Sequence, residues 1–245
     1  MNPLGRLVGL GKACVRKILL RSQLGRAYYE RRKARQRQKE LETLQRYGGM
    51  ILGKVHAILS REKIAYCVWS GTLLGCVRDG GLMAHDDDID IAILPGDVSV
   101  QRLIELFEAE GFKFFWAWKC QGRITEFAVT YKGVHIDFYF LKDSGDHSES
   151  HWYMPLEGVK YPDEFSWSAI CTSLPKIRDL KALKLPRYNI CVNIPENYDE
   201  ILSVQYGAWR IPDTNWKSTA EIFNGYRRLL TEFGRQVSRE SLFDA

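Results

Sequence analysis

His85-Asp86-Asp87-Asp88-Ile89-Asp90-Ile91-Ala92-Ile93-Leu94 is the stretch that decides the reading of this chain. Side chains of a strand alternate between its two faces. Asp86, Asp88 and Asp90 therefore share one face, and Asp87, Ile89, Ile91 and Ile93 share the other. The apolar trio needs a core. The three carboxylates, about 7 Å apart along the strand, repel one another strongly unless a cation neutralises them. Hard oxygen ligands select Mg²⁺, Mn²⁺ or Ca²⁺ rather than zinc. A calcium loop would place Asp86, Asp88 and Asp90 at its positions 1, 3 and 5, but Ile91 would then occupy the position that requires glycine. A solvated acidic turn is the simpler competing reading, and it leaves unexplained why the acids run into an apolar strand.

A second strand, Val134-His135-Ile136-Asp137-Phe138-Tyr139-Phe140, carries one acid among aromatic and β-branched neighbours. Burying Asp137 there is expensive unless it is paired or metal-bound. Placing it beside Asp88 and Asp90 in one sheet resolves the cost, and an exposed edge position is the alternative. His135 reads as an ordinary hydrogen-bonded side chain. Upstream, Ser70-Gly71-Thr72 joins a β-rich run, Ile64–Trp69, to a short helix, Leu73–Arg78. Gly71 allows a ligand to approach the backbone, and the first amides of a helix are anion donors. Arg78 could reach the same anion with its planar fork, whereas Thr72 could simply cap the helix. A phosphate cradle facing a divalent cation is the arrangement of metal-assisted phosphoryl transfer.

Around this centre, Leu41, Leu44, Gly48, Ile51, Leu52, Val55, Ile58 and Leu59 lie on one face of a helix. Val98–Glu110 reads as a second helix. Ile124–Tyr131 and Val134–Leu141 form a hairpin through Lys132-Gly133. Residues 142–195 read as irregular, because six of the eight prolines lie between Pro155 and Pro212. Helices are expected at Glu196–Tyr206 and Ser218–Phe233. Strands mixed with flanking helices, without regular βαβ alternation, define an α+β class.

Length and composition agree with a globular chain. At 245 residues, with 45% hydrophobic and 27% charged residues, it has room for one large domain or two small ones. The six cysteines are scattered without a C-x-x-C, which offers no zinc site and suggests reduced thiols in a cytosolic compartment. No apolar run is long enough to span a bilayer. Charge divides the chain in two: residues 1–40 carry +10 and residues 41–245 carry −5. Leu4, Leu7, Val8, Val15, Ile18 and Leu19 recur at helical spacing among the basic residues. A basic amphipathic arm of this kind suits an anionic membrane surface. It has too few aromatics to stack nucleic-acid bases, so a nucleic-acid partner is not expected. An exposed helix with no such partner is the plainer alternative.

Ser70-Gly71-Thr72-Leu73-Leu74-Gly75-Cys76-Val77-Arg78, followed by Asp86-Asp87-Asp88-Ile89-Asp90-Ile91, resembles the LicD/fukutin family of phosphotransferases. His135-Ile136-Asp137-Phe138 resembles that family's third-carboxylate strand. Ile194-Pro195, with Tyr206-Gly207-Ala208-Trp209-Arg210-Ile211-Pro212, resembles its closing segment. The likeness covers roughly residues 45–215 and leaves the basic arm outside. It implies a polymerase-β-type nucleotidyltransferase fold in residues 41–245. It further implies transfer of phosphocholine, ribitol phosphate or a similar group from a CDP-linked donor to a hydroxyl of a glycan or glycolipid, with release of CMP. Such chemistry belongs to glycan modification, including lipopolysaccharide or capsule biosynthesis. On this resemblance Asp88, Asp90 and Asp137 hold Mg²⁺ or Mn²⁺, with Asp86 a further ligand or partner. Ser70, Gly71, Thr72 and Arg78 bind the diphosphate. His85 and Ala208 depart from the family pattern, which bears on the donor group rather than on the carboxylates. The implied setting is cytoplasmic, peripheral at the inner membrane face. Two alternatives remain: a nucleotidyltransferase acting on a small hydroxyl compound, and a non-catalytic module that binds nucleotide or lipid.

Overall fold

The computed structural model describes residues 22–213 and 226–242. The chain divides into two compact units, residues 1–42 and 43–245. The amphipathic pattern of the first 20 residues lies outside the described residues. What is described of the first unit is helical from Gln23. Residues 31–39 are exposed, and Gln36 and Gln38 donate to Glu40 and Glu42 one turn on. Helix α1 (Gln23–Arg61) continues into the second unit. There Leu44, Ile51, Leu52, Val55, Ile58 and Leu59 are fully buried, on the face their spacing predicts.

The second unit is a mixed α+β assembly. Its elements after α1 are β1 (Tyr66–Val68), α2 (Ser70–Arg78), β2 (Asp88–Ile93), α3 (Val100–Ala109), β3 (Lys113–Cys120), β4 (Arg123–Tyr131) and β5 (Val134–Phe140). There follow β6 (Lys142–Ser144), β7 (His147–Met154), β8 (Ser166–Pro175), β9 (Leu180–Leu185), β10 (Ile190–Pro195), α4 (Tyr198–Tyr206) and β11 (Tyr226–Val237). Nine strands form one sheet in the order β1-β2-β5-β4-β3-β11-β8-β7-β6, and β9 pairs with β10 separately. Among the described strands, only β2 and β5 run parallel. The β4–β5 hairpin turns through Lys132 and Gly133, both at positive φ (52° and 82°), as a two-residue turn between right-twisted strands requires.

One face of β2, β5 and β4 is apolar. Ile89, Ile91, Ile136, Phe138, Phe127 and Val129 are buried together with residues of α1, α2 and α3. Phe138 stacks on Phe127 at 4.7 Å and meets Phe107 of α3 at 4.7 Å. Burying side chains of this size contributes about 1.5–3 kcal/mol each, so this layer fixes where the opposite face points.

Two expectations are corrected. Residues 142–195 are not irregular but carry β6 to β10. The prolines there punctuate the strands: Pro175 and Pro195 end β8 and β10, Pro155 follows β7, and Pro186 sits in the β9–β10 turn. Pro is tolerated at such positions because no ladder hydrogen bond is lost. The helix expected over Ser218–Phe233 is also wrong where described, because residues 226–233 belong to β11. The register of β11 against β8 shifts between Leu229 and Phe233. That irregularity breaks the period of two and leaves apolar residues at helix-like spacing. A strand the sequence does not suggest, β3, completes the sheet.

Candidate active site

The face opposite the apolar layer is acidic. Parallel register pairs Asp88 with His135 and Asp90 with Asp137, and paired residues project to the same side. Asp88, Asp90 and Asp137 each bring a carboxylate oxygen within 4.8 Å of the others'. Asp86 arrives differently from the sequence expectation. It precedes β2, in a turn where its amide donates to Met83 O. Its carboxyl nevertheless reaches the same place: a methyl group added at Gly71 would lie 3.4 Å from Asp86 Oδ1 and 3.6 Å from Asp90 Oδ2.

Burial drives the protonation chemistry of the group. Desolvation, then the neighbouring Asp88 and Asp87 charges, push Asp86 up to about 7. Burial, with Asp87 beside it, pushes Asp88 up to about 6. Asp90 and Asp137 stand well above the usual carboxylate range, first by burial and then by the repulsion of the other acids. Such a cluster calls for protons or for a cation. Asp86 Oδ2 and Asp137 Oδ1 are buried without a hydrogen-bond partner, and an unsatisfied buried acceptor is costly. An all-oxygen donor set with orphaned lone pairs fits a hard divalent cation.

Helix α2 supplies the second wall. Its first residue, Ser70, has φ 43°, a region uncommon for a non-glycine residue. The preceding Trp69 is extended and makes no side-chain cap. The opening amides of this helix thus have no intrahelical acceptor, and they lie beside Asp86 and Asp90 through Gly71. Thr72 is neither a cap nor open to a ligand. It is 1% exposed, and its hydroxyl accepts from the Asp90 amide at 2.9 Å, so it locks α2 to β2. The guanidinium of Arg78 is engaged by its neighbour: Nε and Nη2 donate to the two oxygens of Asp79 at 2.8 Å. The same fork could take up a phosphate only by leaving Asp79.

Three residues beyond the sequence candidates join the site. Tyr139, on the Asp137 face of β5, donates its hydroxyl to Asp90 Oδ1 at 3.3 Å. Glu126 pairs with Tyr139 across the hairpin, and burial pushes it up to about 8. A charge in the middle of Ile124-Thr125-Glu126-Phe127-Ala128 is a signal that the sequence contained. Tyr206, which ends α4, stands half-buried in the field of Asp90, Asp86 and Asp88, and its hydroxyl is pushed up first by desolvation and then by these charges. Gly207 follows it at φ 64°, its amide donating to Ser203 O. Trp209 Nε1 and Arg210 Nη2 both donate to Asp199 Oδ1, which ties this segment back onto α4.

These elements define an α+β domain whose chemistry is centred on clustered carboxylates beside a glycine-bearing helix start. Residues 63–169 match the LicD/FKTN/FKRP nucleotidyltransferase-domain model, so this span of the chain is similar to that family. It is 23% identical over 174 residues to the ribitol 5-phosphate transferase FKRP of Homo sapiens, which covers 68% of this chain and 32% of the relative. A lipopolysaccharide cholinephosphotransferase, LicD of Haemophilus influenzae, is 46% identical over 41 residues, 17% of this chain and 16% of that one. An uncharacterised Rickettsia prowazekii protein, RP689, is 38% identical over 63 residues, 25% of this chain and 24% of its own length. The chain thus spans a third or less of the curated relatives it matches. No described helix is long and apolar enough to cross a membrane.

Proposed function

We propose that the protein is a divalent-metal-dependent transferase with a nucleotidyltransferase-type catalytic fold. It moves a phospho-substituent, such as phosphocholine or ribitol phosphate, from a CDP-linked donor to a hydroxyl of a glycan or glycolipid. The observation that carries this reading is the convergence of Asp88, Asp90 and Asp137 within 4.8 Å beside the opening amides of α2. The names of the family's two transferase relatives support the reaction class.

Asp88, Asp90 and Asp137 would hold Mg²⁺ or Mn²⁺, with Asp86 alongside. When bound, the cation neutralises charge on the transferring phosphoryl oxygens. The chain's own groups do the rest. The amides of Ser70 and Gly71 orient the donor diphosphate, and Arg78 joins them once its fork leaves Asp79. The acceptor hydroxyl oxygen forms a bond to the phosphorus bearing the transferred group. The bond from that phosphorus to the bridging oxygen breaks, and the electron pair leaves on CMP. The hydroxyl proton passes to a carboxylate of the cluster, acting as general base. Tyr139 holds Asp90 in orientation through its hydroxyl. Residues 1–40 keep the enzyme at an anionic membrane surface, where a lipid-borne acceptor is concentrated.

CMP release from CDP-choline and CDP-ribitol, in Mg²⁺ and again in excess EDTA, tests the proposal. Release that requires the cation is expected. Release that continues at the same rate in EDTA contradicts the metal-dependent reaction.

A further inference from the structure

Moving away from β1, the acid-bearing face does not give way to an ordinary polar surface. Asp90 pairs with Asp137, Asp137 with Ala128 and Ala128 with Trp116. These four residues form one lateral row on one face, so only the methyl of Ala128 stands between Asp137 and Trp116. With strands ~4.8 Å apart, the Trp116 backbone is about 10 Å from that of Asp137. In the next row Trp118 pairs with Glu126, which pairs with Tyr139. The β3 register shifts between Phe114 and Trp116, and the extra residue, Phe115, lays its ring 4.6 Å from that of His135. His135 is the register partner of Asp88. A row of rings therefore starts at the edge of the carboxylate site.

This row is built on a fixed base. Trp118 stacks on Tyr153 at 4.5 Å and 13°, and both are buried. The Tyr153 hydroxyl is hydrogen-bonded to Thr125. Trp116 and Trp167 flank Trp118 with centroids 6.4 and 5.1 Å away, and each remains half-buried. Phe115 is 53% exposed. Contiguous aromatic surface left to water beside a site is unfavourable unless something covers it. At its margins Thr130, His135 and Gln236 stand half-buried. Register places them on the same face, as partners of His135, Asp88 and Trp118.

The occupant follows from sidedness. Gly71 and the opening amides of α2, the phosphate-facing elements, adjoin Asp86 and Asp90, and α2 follows β1, which borders β2 on its other side. The aromatic row lies beyond β5 and β4, across the carboxylates. In an in-line displacement the nucleophile enters opposite the leaving group, so this flank receives the acceptor. A flat apolar ledge rimmed by hydrogen-bonding side chains matches a pyranose ring, which has a C–H face and a rim of hydroxyls. We propose that Phe115, Trp116 and Trp167, braced by Trp118, seat a sugar ring of the acceptor. This assignment rests on the transferase reading above for its role in turnover.

The test uses the full-length protein and the variants Trp116→Ala, Trp116→Phe and Phe115→Ala. Each is titrated with CDP plus Mg²⁺ and with a panel of neutral gluco-, galacto- and N-acetylglucosamine oligosaccharides. Binding is followed by tryptophan fluorescence and calorimetry, and folding by thermal unfolding. At least one oligosaccharide is expected to bind the wild type, to weaken about tenfold or more in Trp116→Ala, and to persist within about threefold in Trp116→Phe. CDP should saturate every variant over the same concentration range. Should Trp116→Ala fail to fold, Phe115→Ala carries the comparison, because its ring is largely outside the core. Parallel loss of CDP and oligosaccharide would make the ledge a nucleobase shelf and overturn the proposal. So would a wild type that binds CDP and no oligosaccharide. Oligosaccharide binding without CDP binding would sink the transferase reading and leave the ledge standing.

Discussion

The two faces of β2 and β5 are made by the same two short strands and have opposite physics. On one, Ile89, Ile91, Ile136 and Phe138 are fully buried among helix side chains. On the other, Asp88, Asp90 and Asp137 crowd their oxygens within 4.8 Å. The apolar face is where stability is generated, because area removed from water is favourable without further partners. The acid face costs stability in the isolated chain, since crowded like charges repel and Asp137 Oδ1, like Asp86 Oδ2 beside it, lacks a partner. Strand alternation thus separates folding from chemistry by a single residue step. Substitutions on the two faces should have opposite signatures.

The largest effect is expected on the apolar side. Phe138→Ala should destabilise the fold by about 3–5 kcal/mol, measured by denaturant unfolding, because the ring sits between Phe127 and Phe107. Any loss of turnover should track the unfolded fraction. If Phe138→Ala unfolds at the wild-type midpoint, the apolar layer is not the core it is taken for. Next comes the acid side. Asp90→Asn should lower CMP release at least ~10²-fold, while its melting temperature in EDTA equals or exceeds that of the wild type. A variant that is inactive because it is unfolded would erase the distinction between the faces.

How far this division could be read in advance depends on register. The period of two in Asp88–Ile93, with the matching pattern around Asp137, made the proximity of these acids legible, because a buried lone Asp137 has few inexpensive positions. The Lys132-Gly133 hairpin and the Leu44–Leu59 stripe were legible for similar local reasons. What escaped were places where the period breaks. Phe115 is an extra residue in β3 and masks the alternation of Lys113–Cys120. The irregularity in β11 imitates a helix. Tyr139 and Tyr206 carry no local mark of a role in the stretches that hold them. Their roles depend on which strands and helices become neighbours, and no local pattern records that. Arg78 is a milder case: its spacing suits a phosphate, but Asp79, one residue on, takes the fork first.

Two smaller effects sharpen the comparison at its margins. Gly71→Ala would set a methyl in van der Waals contact with Asp86 and Asp90. It should leave the melting temperature within a degree or two, yet weaken CDP binding in Mg²⁺ by roughly tenfold, about 1.4 kcal/mol. Unchanged CDP affinity would remove α2 from the donor site. The least effect on turnover is expected from deleting residues 1–40, which carry +10. Sedimentation with anionic vesicles should be lost, and CMP release to a soluble acceptor should stay within about twofold. Full-length protein that ignores such vesicles at low salt would end the membrane assignment.

The central claim is that the acid face is a divalent-cation site, and Mn²⁺ titration followed by electron paramagnetic resonance tests it most directly. Wild type should remove Mn²⁺ from the free pool saturably, and Mg²⁺ should compete. Asp137→Asn, folded by circular dichroism, should weaken that binding by about two orders of magnitude. Equal Mn²⁺ binding by the two proteins, or none by either, would contradict the account.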